Sequence, residues 1–160
     1  MNQYRLLDSV TRWLNEEGYI HIKEKNDDAV FQFKIGDALN HLHVFEPKKQ
    51  KGVLVIGVEI NIPPKLNNLY KILYNDNQRE KLKMELKKRA QSNEVELRFY
   101  DEPWGVKFNL YIVIDNKEDQ NFTFFVEQLN KIVDLSDSMS KFLFAVAFNN
   151  ASDLKQQKGR

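Results

Sequence analysis

The 160-residue chain contains no cysteine. This absence excludes a disulfide scaffold, thiolate catalysis and thiolate metal sites. The chain also has no apolar run near the roughly 18 residues that a transmembrane helix needs. Within its first eight residues the chain already contains an acid and the start of a helical pattern. Both come too early for a secretory signal peptide. The sequence therefore predicts a cytoplasmic protein that has no membrane partner.

The chain has almost no excess of charge of either sign. Lys and Arg number 24 against 23 for Asp and Glu, a formal net charge of +1. This balance removes the electrostatic argument for nucleic acid as a partner. The composition, 42% hydrophobic and 29% charged, is that of a globular domain that needs no metal to hold its core. We predict one domain over residues 1–152 and a polar, disordered tail over residues 153–160.

The first third of the chain has the pattern of one helix followed by four strands. Apolar residues at helical spacing begin at Leu6, and Gly18 marks the end of that helix. Alternating apolar and polar residues then predict strands over residues 19–25, 30–35, 41–45 and 53–62. In the first strand this alternation places Ile20 and Ile22 on the core side. No segment long enough for a helix lies between these strands, so they form an antiparallel meander.

The remainder of the chain has the pattern of a helix, two strands and a long final helix. Helical spacing extends over residues 66–91 with an interruption at 75–77, and strands are predicted over 94–100 and 106–114. A long helix then carries apolar residues from 122 to 146. Capping-box spacing suggests helix starts at Asn77 with Glu80 and at Asp115 with Glu118. The predicted order is α-β-β-β-β-α-β-β-α, which is an α+β fold with a mostly antiparallel sheet covered by helices.

This order of elements, over about residues 4–148, resembles the type III secretion chaperone-like fold. The resemblance rests on the order of the elements, and this chain has one more strand in its first run of strands. It implies a small and often homodimeric protein that binds other proteins rather than performing chemistry. It does not imply that a secretion system is present.

Three histidines are the strongest candidates for metal ligands. His41 and His43 are two residues apart on a strand, so they point to the same face, and His21 lies on another predicted strand. No acid has a matching offset except Glu46, which faces the other way. The competing interpretation is that these histidines lie on the solvent side of an amphipathic strand. We predict no metal and no cofactor, and whether His41 and His43 bind a metal stays open.

No arrangement of residues identifies an enzyme. Ser138 and Lys141 have the spacing of an acylating serine and its base, but the companion motifs are missing. Glu59 lies within an otherwise apolar strand, where a buried carboxylate acts as an acid or base. We interpret Glu59 as an edge position near the end of its strand. The sequence therefore predicts no catalytic residue, and a protein that is not an enzyme.

The last helix carries more apolar residues than one packed stripe requires. Met139, Leu143 and Val146 already supply that stripe, which leaves Phe142, Phe144 and Phe148. Either other structure within the chain covers them, for example the first helix through Trp13, or a partner does. We predict that these three phenylalanines form a protein interface, in a homodimer or with another protein or peptide.

The sequence thus favours a non-enzymatic protein-interaction module. The alternative function is a small apolar-ligand-binding protein. In that alternative the sheet and the long helix enclose a pocket lined by Phe31, Phe33 and Tyr111.

Overall fold

The computed structural model describes residues 5–36, 41–60, 75–100 and 107–158, with backbone alone for residue 41 and residues 147–158. The helices are α1 (Leu6–Glu17), α2 (Asp76–Ser92) and α3 (Phe122–Lys158). The strands are β1 (His21–Glu24), β2 (Ala29–Ile35), β3 (His41–Pro47), β4 (Leu54–Ile60), β5 (Glu96–Phe99) and β6 (Phe108–Ile114). This confirms the predicted α+β fold and the order of its elements.

All six strands belong to one antiparallel sheet with the spatial order β1-β2-β3-β4-β6-β5. The first four strands are a meander, as predicted. After α2 the chain forms β5 at the far edge of the sheet and then β6 between β5 and β4. The edge position expected for Glu59 is therefore wrong: β6 pairs with β4, which makes β4 an inner strand with neighbours on both sides.

The three helices share one hydrophobic core with one face of the sheet, here called the inner face. Phe125, Leu129 and Ile132 of α3 are almost fully buried in this core. On the strands, the inner-face residues of the core are Phe31, Phe33, Ile35, Leu42, Val44, Leu54, Ile56, Val58, Ile60, Phe108, Leu110, Ile112 and Ile114. Within the described residues, the helices and the sheet therefore form two layers, and the opposite face of the sheet is here called the outer face.

The turn after α1 follows the prediction at Gly18. This residue has φ 75° and lies at the end of the helix, where its amide donates to the carbonyls of the last turn. The next residue, Tyr19, donates its hydroxyl to Asn130 Oδ1 at 3.0 Å and so contacts α3. Partial burial, and then the charge of Glu17, raise the pKa of the Tyr19 phenol.

The expected orientation of the first strand is wrong. Ile20 and Ile22 are 64% and 65% exposed, whereas His21 lies on the inner side with its ring edge-on to Phe33, 5.4 Å between centroids. At this edge of the sheet the strand has one neighbour, and hydrogen bonds such as Gly36 N to Ile20 O fix its register. Apolar alternation specifies the register only where one face is fully buried.

The two predicted capping boxes are also displaced. The box that starts α2 is formed by Asn75 and Gln78, with Asn75 Oδ1 accepting from Gln78 N at 2.8 Å. Asn121, whose Oδ1 accepts from Phe124 N, precedes α3. The helical pattern predicted at residues 66–74 lies outside the described residues. The helical bounds of α3 include residues 153–158, and the division into a domain and a tail stays a prediction.

Gln120 anchors the β3–β4 connection to the end of β6. It is 8% exposed, and its Nε2 donates to Gly52 O at 2.6 Å and to Ile114 O at 3.1 Å. Gly52 has φ 87°, and its own amide donates to Glu46 Oε2 at 3.0 Å. A single amide side chain thus satisfies two backbone carbonyls that are far apart in sequence.

We expect Gln120→Leu to lower the free energy of unfolding by about 1–3 kcal/mol, because it removes the donor from two carbonyl groups. Urea unfolding followed by circular dichroism measures the change. Gln91→Leu is the matched control, since Gln91 is exposed on α2, and it should change stability by less than about 0.5 kcal/mol. Equal effects of the two substitutions would contradict the anchoring role.

Candidate interaction surface

The strand register arranges the outer-face residues in three rows that cross the sheet. The apolar row is Glu24, Gln32, Phe45, Val55 and Val113, named for its last three members. The central row is Ile22, Lys34, His43, Gly57, Tyr111 and Glu96. The polar row is His41, Glu59, Asn109 and Arg98. Neighbours within a row are directly opposite each other on adjacent strands, so their side chains share one face.

The apolar row is the main hydrophobic feature of this face. Val113 is 47% exposed and Ile22, in the adjacent row, is 65% exposed. Val55 is buried but does not belong to the core that the helices share. Within the described ranges, the buried residues of all three helices join the inner-face core instead. Phe45 is half-buried and Val55 is buried, so the accessible apolar side chains of this row and of the adjacent row are Val113 and Ile22.

A glycine lies at the middle of the central row. The ring of Tyr111 folds over Gly57 on the adjacent strand, and a Cβ added at Gly57 would lie 3.3 Å from the ring carbons Cδ1 and Cε1. This is tighter than an ordinary van der Waals contact. The absence of a side chain at Gly57 therefore lets the aromatic ring lie close to the sheet.

The polar end of the outer face consists of groups that bind each other. Lys107 Nζ lies 3.3 Å from Glu59 Oε1 and 5.1 Å from the ring centroid of Tyr100. Asn109 Nδ2 donates to Tyr111 Oη at 2.6 Å and also to Tyr100 Oη. Asn109 Oδ1 is buried and has no hydrogen-bond partner among the described residues. Glu59 is thus half of a partly exposed ion pair and not an isolated buried acid.

The three histidines do not come together. His43 lies on the outer face, where its Nδ1 is 2.9 Å from Glu24 Oε1 and 3.4 Å from Gln32 Nε2. His21 lies on the inner face, because its strand has the opposite phase from the one expected. No group of three or more His, Cys, Asp or Glu side chains fit for a metal occurs within the described residues. The side chain of His41 lies outside them, so its part of the metal prediction stays a prediction.

Strand pairing brings acids from other strands to His41 and His43, which the offsets within their own strand do not show. Glu24 contacts His43, and the backbone of His41 is paired with that of Glu59. Both acids are brought near by strand pairing that the sequence separation conceals. Offsets within the strand therefore miss the carboxylates that neighbouring strands supply.

The three phenylalanines predicted as an interface have different environments on α3. Phe142 is partly buried, with the Arg89 guanidinium 3.9 Å above its ring. Phe144 is 59% exposed. The side chain of Phe148 lies outside the described residues. The first helix reaches α3 elsewhere, because Trp13 packs on Phe125 with 5.2 Å between ring centroids.

The pocket expected for an apolar ligand is not formed by the residues named for it. Phe31 and Phe33 belong to the inner-face core and are 3% and 4% exposed, whereas Tyr111 lies on the outer face. The sheet itself separates them. A surface depression of about 340 Å³ between α2 and α3 includes Ser138, a polar and exposed position.

In the described part of the chain, no helix has the length and apolar character needed to cross a membrane.

The sequence reasoning missed the outer face as an interaction surface. The alternation along each strand did predict a second, wetter face. The clustering of Phe45, Val55 and Val113, however, depends on β6 pairing with β4, about fifty residues away in sequence. The apolar residues at 55 and 113 were the available signal, and only the register shows that they are neighbours.

Residues 6–147 match the family described as "Uncharacterized conserved protein (DUF2299)". Among solved structures, the chain is similar to an uncharacterized protein from Methanothermobacter thermautotrophicus, with a TM-score of 0.78 and 9% identity over 88% of this chain and 98% of that one. It also aligns with YbjN from E. coli, described as a candidate transcription regulator, with a TM-score of 0.44 and 13% identity over 94% and 97%. The second similarity is too weak to support an argument, and the first shows the fold alone. No curated protein matches the chain significantly. The chain belongs to the DUF2299 family.

Proposed function

We propose that this member of the DUF2299 family is a non-enzymatic protein-interaction module that works as a homodimer. The observation that carries the proposal is the set of apolar side chains that the outer face exposes: Ile22 is 65% exposed and Val113 is 47% exposed, and Phe45 is half-buried. Exposed apolar side chains of this kind are candidate contacts for a partner.

The chemistry of the polar residues supports binding rather than catalysis. The carboxylates of Glu24 and Glu59 are paired with His43 and Lys107, and the Asn109 amide is bonded to tyrosine hydroxyls. These contacts run along the surface of the sheet and do not converge on an enclosed space. Such paired groups form the polar rim of an interface, where they contribute to specificity.

The order of elements resembles that of type III secretion chaperones, and the proposal is that this chain also acts as they do. Those proteins act by binding other proteins. The small size of this chain, its single sheet and its exposed apolar residues agree with that manner of action. Self-association is the form proposed here because two-fold homodimers are the commonest soluble assembly.

Sedimentation equilibrium at micromolar concentration tests the proposal. We expect the wild-type chain to sediment with twice its mass of 19.0 kDa. The homodimer would be contradicted if the chain sedimented with the mass of one chain at every concentration up to about 100 μM. A dissociation constant above that value is weak for a protein complex. The interface predicted on α3 is tested in the same way with Phe144→Glu, which replaces the exposed phenylalanine of that surface.

A further inference from the structure

From the register of the outer face we infer that a second copy of this chain packs on that face, with the two-fold axis running along β4. The inference rests on the proposed homodimer and names its surface. An isologous interface requires one patch to be complementary to itself after a two-fold rotation. The three rows meet this requirement for one direction of the axis.

A two-fold axis along β4 places β3 over β6 of the second copy and β2 over its β5. In the apolar row, Phe45 then faces Val113 of the second copy, and Val55 faces its own equivalent. These three residues occupy adjacent strands in the order Phe45, Val55, Val113, so β4 lies at the centre of the row. Val113 and the accessible part of Phe45 therefore meet on both sides of the axis, whereas Val55 is already buried within its own chain.

The central row supplies charge complementarity about the same axis. Lys34 on β2 and Glu96 on β5 lie in this row, two strands to either side of Gly57. Within one chain they are four strand spacings apart, about 19 Å, which is too far for an ion pair. The rotation places Lys34 of each copy over Glu96 of the other, which gives two symmetric ion pairs. Gly57 lies on the axis, where the Tyr111 ring covers it.

The other in-plane direction of the axis is unfavourable. An axis running across the strands would place the apolar row over the polar row, so that Val55 would face Glu59 and Val113 would face Asn109. Apolar groups packed on the Glu59–Lys107 pair would remove both charges from water without adding a polar contact. The axis along β4 does place Glu59 near its own equivalent. Lys107, 3.3 Å from each Glu59, offsets that repulsion.

The size of the face is adequate for a dimer. Four strand spacings by seven residues cover about 450 Å² of flat sheet, and the relief of the side chains increases the accessible area. Stable interfaces bury about 600–1,000 Å² on each partner. Packed sheets align within about 30°, a rotation that long lysine and glutamate side chains accommodate. The outer face thus has the composition and the extent of an isologous interface.

Charge reversal tests this arrangement in the full-length chain. We expect Lys34→Glu alone and Glu96→Lys alone each to raise the dimer dissociation constant at least tenfold in low salt, because each creates two like-charge contacts. The double variant should return to within about threefold of the wild type, since it restores both pairs with the charges exchanged. Sedimentation velocity over a concentration series measures the three constants. Lys141→Glu, on the exposed side of α3, is the matched control and should leave the constant unchanged.

The outcomes separate the inference from the proposed function. Rescue by the double variant supports the axis along β4. A wild-type dimer that is indifferent to Lys34→Glu overturns the inference and leaves the homodimer intact, and its loss in Phe144→Glu then assigns the interface to α3. A monomeric wild type overturns both. Circular dichroism of each variant verifies that a lost dimer is not a lost fold.

Discussion

Replacing Phe125 with alanine is expected to lower the free energy of unfolding by about 3–5 kcal/mol, the cost of removing a large buried side chain. Phe125 is 1% exposed and lies in the core that joins α3 to the sheet. Its ring also packs on Trp13 of α1, with 5.2 Å between centroids. The substitution therefore leaves a cavity where three elements meet and removes an aromatic contact.

The same helix offers a control for Phe125→Ala. Phe144 is 59% exposed, so Phe144→Ala should change the free energy of unfolding by less than about 0.5 kcal/mol. Both variants are measured by urea unfolding in dilute solution, where the monomer is the folded reference. Trp13 fluorescence should report the change at Phe125 before unfolding begins. Similar losses for the two substitutions would contradict the core described here.

Replacing Leu86 with alanine is expected to cost about 2–5 kcal/mol and to release α2 before the rest of the domain. Leu86 is fully buried, and the other buried residues of this helix are Leu82 and Ala90. Apart from the exposed Met84, the remainder of α2 is polar. Its attachment to the sheet therefore depends on one narrow stripe, and intrinsic helix propensity alone does not hold a helix of this length in place.

Met84→Ala is the matched control on α2, because Met84 is 68% exposed. Hydrogen exchange distinguishes local release from global unfolding. In the Leu86→Ala variant, amides of α2 should exchange faster than those of β4, whereas Met84→Ala should leave both unchanged. Uniform acceleration over the whole chain would contradict a separately attached α2.

Much of the fold follows from local patterns in the sequence. The stripe of α1 from Leu6 to Leu14 and the alternation at Phe31, Phe33 and Ile35 give the right elements with the right buried faces. The apolar sides of these elements pack against the hydrophobic core, so the burial of their side chains determines their orientation. The order of the elements, and hence the fold class, could therefore be predicted.

The wrong predictions concern positions where non-local strand pairing or local hydrogen bonds determine the structure. The insertion of β6 beside β4 makes Glu59 an inner-strand residue, and no pattern within either strand contains that information. The phase of β1 follows backbone bonds at an edge, so Ile20 and Ile22 are exposed. For α2 the capping box begins at Asn75 rather than Asn77, because two asparagines with similar spacing compete for the same role.

The interface predicted at Phe142, Phe144 and Phe148 stays a prediction. An apolar cluster around Phe142 does exceed one stripe, but Arg89 of α2 covers the Phe142 ring. A cation over an aromatic face is a contact between elements that helical periodicity cannot show. The outer face depends equally on contacts between elements, since its rows appear only after the strands are paired.

Chemical cross-linking through single introduced cysteines tests the dimer on the outer face most directly. The chain has no cysteine, so each variant carries one thiol. Val113→Cys and Val30→Cys are a matched pair, because these valines are 47% and 46% exposed. With the axis along β4, the two copies of residue 113 lie about 14 Å apart and the two copies of residue 30 about 21 Å apart, from the strand and sheet spacings. A bis-maleimide that spans about 14 Å should give covalent dimers of Val113→Cys and few of Val30→Cys. Equal cross-linking of the two variants, or none of Val113→Cys in a wild-type-like dimer, would contradict this interface.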